Sequence, residues 1–326
     1  MRSTAAALAA LALFTGGCRP DSAAADPGAL ATDGGFPREV VGADGVAVRI
    51  EAPPRRVVPA NSSAQDDLAV LVGPDRVAAL PRPIGVYANA GDAGSGWEEL
   101  PRFPDYLAEP VLLLEPDLVL THTWQEANTT TALRQAGVPV LVLPVADSLE
   151  GIREVLLLLG EALGTSARAA EVVAGLDRRV EALAASSDRR AGLRVMGYTN
   201  YGTGGYSAGR GTTLDLMIEL AGMQNAAREP GLVGYQSIDF EQLLTLDPDL
   251  LVLGASGDGA RGDPTEQVLR GEPALAGLRA VREDRLVVLP SRLYTTNSHF
   301  LIDAAEELAR RVDALLEPPG RDDVRR

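Results

Sequence analysis

Short apolar runs alternate with amphipathic stretches along most of the chain. The run Leu112 to Leu120 reads LLLEPDLVL, and the run Leu244 to Val252 reads LTLDPDLLV. Pro116 and Pro248 of these runs are 248 − 116 = 132 residues apart. Each run has the pattern of a helix end, a Pro-Asp turn and a short strand buried on both faces, as strands of parallel sheets are. The repeat predicts a duplicated unit.

Both copies have the same neighbouring pattern, with a strand and a helix upstream and a second strand downstream. Strand, helix, strand, helix, strand, repeated twice, predicts two Rossmann-like α/β lobes with mainly parallel sheets. The predicted elements are strands at 56–59, 140–144, 193–196 and 286–290 and helices at 66–72 and 213–221.

The segment between the copies has a helical pattern. Ser148 is a candidate N-cap residue, and Gly164 punctuates the first helix. From Ser166 to about Ser186, apolar residues recur every three or four positions among Arg and Glu. We therefore predict that a long helix links the lobes and restricts their movement on ligand binding. A closing amphipathic helix is predicted at Leu301 to Leu316.

The amino terminus has the pattern of a secretory signal. Met1-Arg2 precedes an apolar run at 5–14, which is shorter than the roughly 20 residues that a membrane span needs. Cys18 is the single cysteine and follows a small Gly-Gly pair, where a bacterial lipoprotein signal places its lipidated residue. Lipidation at Cys18 and simple secretion are both compatible with this pattern. We expect a periplasmic or extracytoplasmic protein, lipid-anchored at Cys18.

The predicted division of the chain follows from these patterns. It has a signal peptide at 1–18, a flexible tether at 19–42, an N-terminal lobe at 43–147, a linking helix at 148–187, a C-terminal lobe at 188–318 and a polar tail at 319–326.

Composition limits the possible partners. Forty-five acidic residues against 30 basic ones give a net charge of -15, which argues against nucleic acid because phosphate binding needs excess positive charge. One cysteine and two histidines cannot form a structural zinc site or a disulfide framework. No built-in metal site is therefore assigned, and any metal that the chain binds must arrive already chelated or sit among carboxylates.

Three further motifs, taken with the doubled run, resemble those of the substrate-binding proteins of bacterial ABC importers. They are GRGTTLD at 209–215, LAGMQN at 220–225 and NSH at 297–299. The likeness is to the helix-linked family for iron-siderophores, haem and cobalamin, and it covers roughly residues 45–318. It implies a ligand cleft between the lobes and an ABC permease with its ATPase as partner. It also implies a monomer that is not an enzyme and has no cofactor.

The same resemblance assigns a role to two glutamates. Each lobe in this family offers one surface Glu to arginines of the permease, seven residues before the Pro-Asp turn. Those positions are Glu109 and Glu241, and 241 − 109 = 132 repeats the offset of the apolar runs. One carboxylate on each lobe would allow the permease to sense the spacing between lobes, through charge-assisted bonds to Arg.

Candidate ligand-binding residues lie in loops that follow predicted strands, because ligands of α/β sheets bind beyond the carboxyl ends of the strands. Tyr235 is added by the family resemblance. The aromatic faces suit a flat or catecholate-like ligand, and the arginines suit its negative charge. The candidates are Tyr87, His122, Trp124, Tyr198, Tyr201, Tyr206, Arg210, Tyr235, Arg292 and Tyr294.

The resemblance leaves three ligands open. A ferric siderophore is the first choice because the family commonly binds them. Haem is the second, with His122 and Tyr235 as possible axial ligands. Cobalamin is less favoured, because cobalamin binders carry Trp at the positions of His122 and Tyr235. Ligand sensing without import is also compatible with the sequence.

A hydrolase is the alternative from another class. Gly205-Tyr206-Ser207-Ala208-Gly209 matches the G-x-S-x-G nucleophile motif, and His299 follows it in the chain order of an α/β hydrolase. Against this interpretation, a Gly-rich loop separates Ser207 from the strand at 193–197, whereas a nucleophile elbow needs a strand that leads directly into the serine. A hydrolase also gives no reason for a duplicated lobe.

Overall fold

The computed structural model describes residues 35–82, 87–91, 94–200, 204–255 and 263–317. Cys18, Tyr201 and the predicted tail at 319–326 lie outside the described residues. The predicted fold class is confirmed, since two α/β lobes with mainly parallel sheets are joined by helices. Among the described helices, none combines the length and apolar character that a membrane crossing requires.

The N-terminal lobe is built on a parallel sheet with the strand order β3-β6-β7, and a hairpin of β1 and β2 precedes it. The apolar strands of this sheet are buried along their whole length, as predicted for a sheet covered on both faces. The elements are β1 Arg38–Val41, β2 Ala47–Ile50, β3 Val57–Pro59, α1 Ser62–Ala69, β4 Leu80–Pro81, β5 Arg102–Phe103, α2 Ala108–Leu112, β6 Leu118–His122, α3 Ala127–Gln135 and β7 Val140–Leu143.

The hairpin corrects the predicted tether at 19–42. Strand β1 lies inside that range and pairs antiparallel with β2. The side chain of Val40 is 2% exposed because the hairpin turns it into the core of the lobe. The ordered fold therefore includes the last part of the range that we predicted as flexible.

Two helices occupy the range 148–187, and they are separated at Gly164, where the sequence predicts the end of the first helix. Helix α4 spans Leu149–Leu163 and α5 spans Ser166–Ala185. Gly164 ends α4 with φ of 70°, a left-handed conformation that favours glycine and reverses the chain. The two helices pack against each other. Helix α4 contacts β1 and α1 of the N-terminal lobe, and α5 contacts α6 and α11 of the C-terminal lobe.

Helix α5 holds the lobes through hydrogen bonds as well as packing. The Arg168 guanidinium donates to the Val70 carbonyl of the N-terminal lobe at 3.1 Å. Nearer the other end of the helix, Arg179 pairs with Glu306 of the last helix at 2.7 Å. Helix α5 is therefore attached to both lobes.

The C-terminal lobe has a parallel sheet with the order β11-β8-β13-β14 and a separate antiparallel sheet with the order β12-β10-β9. The last helix packs on β14 and α6 and begins and ends where the sequence predicts. The elements are β8 Arg194–Gly197, β9 Thr199–Asn200, β10 Gly205–Ala208, α6 Thr213–Leu220, β11 Gln224–Asn225, β12 Tyr235–Ile238, α7 Phe240–Leu246, β13 Leu250–Ala255, α8 Pro264–Gly271, α9 Arg279–Arg282, β14 Leu286–Pro290, α10 Ser291–Tyr294 and α11 Leu301–Leu316.

Candidate functional site

His122 ends the central strand of the N-terminal sheet and is 3% exposed. Its Nδ1 lies 3.0 Å from the Asn61 amide nitrogen. Asn61 follows strand β3 and caps helix α1, where its Oδ1 accepts from the Ala64 N–H at 3.0 Å. The cap fixes the orientation of the amide, so the amide nitrogen of Asn61 must donate to His122.

This hydrogen bond determines the tautomer of neutral His122. Because Nδ1 accepts from Asn61, the ring proton lies on Nε2. Nε2 is buried and has no hydrogen-bond partner among the described residues. An iron ligand needs an unprotonated nitrogen, so this arrangement offers no lone pair to haem iron.

Burial also keeps His122 uncharged. It lowers the pKa of the imidazole from 6.5 to about 4, and the nearby Asp67 carboxylate opposes part of this effect. The ring of Trp124 stacks on the imidazole, with centroids 5.6 Å apart and planes 18° apart. One face of the Trp124 ring therefore covers His122. Trp124 is 51% exposed, so its other face is open to solvent.

Two candidate tyrosines of the C-terminal lobe form one exposed aromatic surface. In the antiparallel pair of β10 and β12, Tyr206 lies opposite Ser237, and Ala208 lies opposite Tyr235. Side chains two positions apart share a face of a sheet, so Tyr206 and Tyr235 are diagonal neighbours on the same face. We call these two residues the tyrosine face.

Arg210 follows β10 directly beside the tyrosine face. Its N–H donates to the Leu232 carbonyl at 2.9 Å, and its own carbonyl accepts from the Gly234 N–H at 3.0 Å. These bonds fix the backbone next to Tyr235, while the guanidinium is exposed. It makes no ion pair with a carboxylate of the described residues. The aromatic surface therefore has an available cation at its edge.

Tyr198 is a correction to the predicted site. It is fully buried in the core of the C-terminal lobe, and its hydroxyl bonds to the Asn200 amide at 3.1 Å. Burial raises the pKa of this hydroxyl. A Cβ on Gly205 would lie 2.4 Å from the hydroxyl oxygen, so the neighbouring strand needs glycine here in order to cover Tyr198. Its role is packing, and a ligand cannot reach it.

The other candidates differ in their exposure. Tyr294 is half-buried, with its ring against Gly254 at the end of β13. Tyr87 is 48% exposed. Arg292 is exposed and lies at the junction of the lobes, where its carbonyl accepts from the Asn89 amide at 3.0 Å. These three residues remain candidates for ligand contact.

A buried polar network joins the lobes at this junction, and the sequence did not point to it. Asp66 and Asp67 are adjacent residues of α1 and are 2% and 1% exposed. Asp67 accepts from the backbone N–H of His299 at 3.0 Å, and the His299 Nδ1 lies 2.7 Å from the same oxygen. Asp66 accepts from Ser298 at 3.2 Å. Contacts across 232 positions of the chain therefore hold the two lobes together.

Asp66 receives three further hydrogen bonds from its own lobe. The backbone N–H groups of Asn89 and Ala90 donate to Oδ1, each at 2.8 Å, and the Asn89 amide donates to Oδ2 at 3.1 Å. Burial nevertheless raises the pKa of the Asp66 carboxyl from 3.8 to about 6, and the hydrogen bonds lower it only in part. A cavity of about 340 Å³ adjoins the network and is lined by both lobes, including Trp97 and Arg292.

The two predicted docking glutamates have equivalent positions. Glu109 is the second residue of α2, and Glu241 is the second residue of α7. Both side chains are exposed. Six residues after each of them, Glu115 and Asp247 adopt positive φ angles of 46° and 37°. The two copies of the repeat therefore share a backbone conformation as well as a sequence spacing.

A family model provides the decisive comparison. The model described as "Periplasmic binding protein" matches residues 31–293. The chain belongs to the periplasmic binding protein family. The matched range includes the N-terminal lobe, the helices between the lobes and the C-terminal lobe as far as α10, and α11 follows it.

Members of the family that resemble this chain include two cobalamin-binding proteins from strains of Halobacterium salinarum. Each is 32% identical over 238 residues, which make up 72% of this chain and 62% of the relative. The chain therefore spans less than two thirds of the length of these relatives. An uncharacterized ABC transporter substrate-binding lipoprotein of Bacillus subtilis, YvrC, is 24% identical and matches 94% of this chain and 95% of its own length.

Solved structures of periplasmic haem-binding proteins share the fold. The protein BhuT in complex with two haems is 25% identical, with a TM-score of 0.69, over 80% of this chain and 99% of its own. A haem-binding protein from Pseudomonas aeruginosa is 27% identical, with a TM-score of 0.67, over 82% of this chain and 95% of its own. A ferric hydroxamate transport protein from Saccharomonospora viridis, at 24% identity and a TM-score of 0.70 over 85% and 99%, supports the fold alone.

The hydrolase alternative does not fit this periplasmic binding protein. Ser207 is 3% exposed and lies within strand β10, where its Oγ donates to the Gly197 carbonyl at 2.8 Å. His299 bonds to Asp67 instead. A nucleophile elbow needs an exposed serine on a strand-to-helix turn with a histidine beside it. Ser207 and His299 thus serve separate structural roles.

Proposed function

We propose that this chain is the substrate-binding protein of an ABC importer and that it carries a chelated metal complex, first of all a ferric siderophore. The observation that supports the ligand class is the tyrosine face with the available Arg210 guanidinium at its edge. Flat, negatively charged chelates suit such a surface. Within the described part of the chain, no group of three or more His, Cys, Asp or Glu is placed to hold a metal ion.

In the proposed mechanism, the chain performs no chemistry on its ligand. The ligand binds between the lobes, which close slightly because α5 is attached to both of them. Glu109 and Glu241 then present the loaded form to the permease, and the partner ATPase supplies the energy. Lipid attachment at Cys18 would keep the protein at the outer face of the membrane.

Cobalamin is a second candidate, favoured by the names of the Halobacterium relatives. His122 and Tyr235 still stand where the family resemblance implies Trp in cobalamin binders. Haem is a third candidate, since two haem-binding structures are 25% and 27% identical to this chain. The three ligands can be separated by direct binding measurements.

A thermal-shift screen with ferrichrome, a ferric catecholate, haem and cyanocobalamin is expected to identify a ferric siderophore. At one hundred times its Kd, the true ligand stabilises the fold by about 3 kcal/mol. Because Trp124 is half exposed, its fluorescence should be quenched by the same ligand, and Trp124→Phe should lose most of the quench. A rise in melting temperature with cyanocobalamin alone would show that cobalamin, and not a ferric siderophore, is the ligand.

A haem titration tests the role of His122. With its proton on Nε2, His122 is expected to leave the iron uncoordinated, so His122→Ala should keep the Soret maximum of any haem complex that the natural chain forms. Tyr235→Phe should change that maximum if Tyr235 supplies the axial oxygen. Loss of the Soret feature in His122→Ala alone would show that imidazole binds the iron after all.

A further inference from the structure

Leu113 lies on the same side of the N-terminal lobe as the docking glutamate. The N–H of Leu113 donates to the Glu109 carbonyl at 3.3 Å, so the two residues are one helical turn apart on the same face. At 80% exposure, Leu113 is the most exposed large apolar side chain in the described part of the chain. Leu107, the N-cap residue of the same helix, is 54% exposed.

The repeat places a different residue in the C-terminal lobe. Thr245 corresponds to Leu113, since 245 − 113 = 132, and its hydroxyl donates to the Glu241 carbonyl at 2.8 Å. Beside it lies a groove of about 250 Å³ with Leu232 and Leu246 in its lining and Glu241 at its edge. One lobe thus presents a protruding apolar side chain next to its glutamate, whereas the other presents a recess.

We propose that the two docking surfaces are unequal: Leu113 and Leu107 insert into the permease beside its arginine, while the groove next to Glu241 receives an apolar side chain from the permease. This inference rests on the proposed function. Charge favours that partner, because neither glutamate side chain has a hydrogen-bond or ion-pair partner within the described residues and each is available to a cation. Apolar contact beside a charge pair excludes water from the pair and strengthens it.

The test gives the N-terminal lobe the residue that the C-terminal lobe has at the equivalent position, Thr in place of Leu113. Ligand-loaded Leu113→Thr and the natural chain are compared for binding to the permease and ATPase complex of the same organism in lipid nanodiscs, by surface plasmon resonance. Leu113→Thr is expected to weaken binding at least about tenfold, since it removes most of a buried leucine side chain from the interface. Leu157→Thr is the matched control, because Leu157 is 46% exposed on α4, and it should leave the affinity unchanged.

The possible results separate this inference from the proposed function. If Glu109→Arg abolishes binding but Leu113→Thr does not weaken it, the inference of unequal docking surfaces is wrong, whereas docking to the permease through Glu109 is supported. If the natural chain does not bind the permease, the proposed function fails. If the natural chain is a dimer by analytical ultracentrifugation and Leu113→Thr makes it monomeric, the leucine surface serves a second copy of this chain, and our inference is overturned.

Discussion

Reversing both docking charges, in the double variant Glu109→Arg and Glu241→Arg, is expected to abolish transport while ligand affinity stays unchanged. Both side chains are exposed at the second position of their helices and bond to no side chain of the described residues. Their replacement therefore leaves the fold and the ligand surface intact. At the permease, each lost charge pair costs roughly 2–5 kcal/mol, or about thirtyfold to several thousandfold in affinity.

Uptake of radiolabelled ligand into proteoliposomes containing the permease and ATPase measures the effect. Ligand affinity is measured on the same variants by tryptophan quenching. The matched control is Glu154→Arg with Glu181→Arg, which makes the same change in net charge at exposed glutamates of α4 and α5. Transport by the double variant at the natural rate would exclude docking through these glutamates, and equal loss in the control would indicate a nonspecific effect of charge.

The duplicated fold could be predicted because its apolar runs keep one spacing. The offset of 132 between Pro116 and Pro248 holds through the helix, the left-handed residue and the following strand. Strands buried on both faces give continuous apolar runs, which a sequence displays directly. The two glutamates, which the family resemblance assigned, have the same offset.

A second feature of the repeat could not be found in this way. Arg56 donates to the carbonyls of Leu114 and Glu115 at 2.6 and 3.0 Å. Arg194 donates to the equivalent carbonyls, of Leu246 and Asp247, at 2.7 and 3.0 Å. Each arginine thus donates to backbone carbonyls that lack a partner within the helix, at the helix end just before the Pro-Asp turn. These arginines are 194 − 56 = 138 residues apart, because the loops between strand and turn differ in length.

The candidate site was predictable only in part, because exposure depends on packing between segments that are distant in the sequence. A position after a predicted strand indicated exposure correctly for Tyr206 but wrongly for Tyr198, and Tyr235, which the family resemblance added, is also exposed. Tyr198 directly follows a strand and is covered by the next sheet, which the pattern of a single strand cannot reveal. The network of Asp66 and His299 depends on packing between distant segments, so local sequence did not indicate it.

The two buried titratable groups with the largest pKa shifts in the site should make stability respond to pH in opposite directions. The pKa of Asp66 is raised by burial from 3.8 to about 6, so its contribution to stability is fully present below pH 3.8 and is lost as pH rises through 6. The pKa of His122 is lowered by burial from 6.5 to about 4, so its contribution is present above pH 6.5 and is lost as pH falls through 4. Each shift corresponds to about 3 kcal/mol.

Asp66→Asn and His122→Gln should separate the two effects. As pH rises from 4 to 6, the free energy of unfolding of Asp66→Asn should gain about 2 kcal/mol relative to the natural chain, because the variant lacks the group that destabilises the fold on ionisation. Over the same rise in pH, His122→Gln should lose about 2 kcal/mol relative to the natural chain, because the variant lacks the group that destabilises the fold on protonation. Comparison with the natural chain at each pH cancels the contributions of all other groups.

Urea unfolding, followed by tryptophan fluorescence at half-unit steps from pH 4 to 7, measures the free energy of unfolding of each variant. The slope of this free energy against pH is then compared with that of the natural chain. Asp66→Asn also weakens the hydrogen bonds to Asn89 and Ser298, which lowers stability at every pH but does not create a slope. Asp177→Asn is the matched control, since it removes an acidic residue that pairs with Arg153 on the helices away from the lobe junction. Equal slopes in Asp66→Asn and the natural chain would show that Asp66 is already ionised at pH 4, and the four hydrogen bonds it accepts would then outweigh its burial.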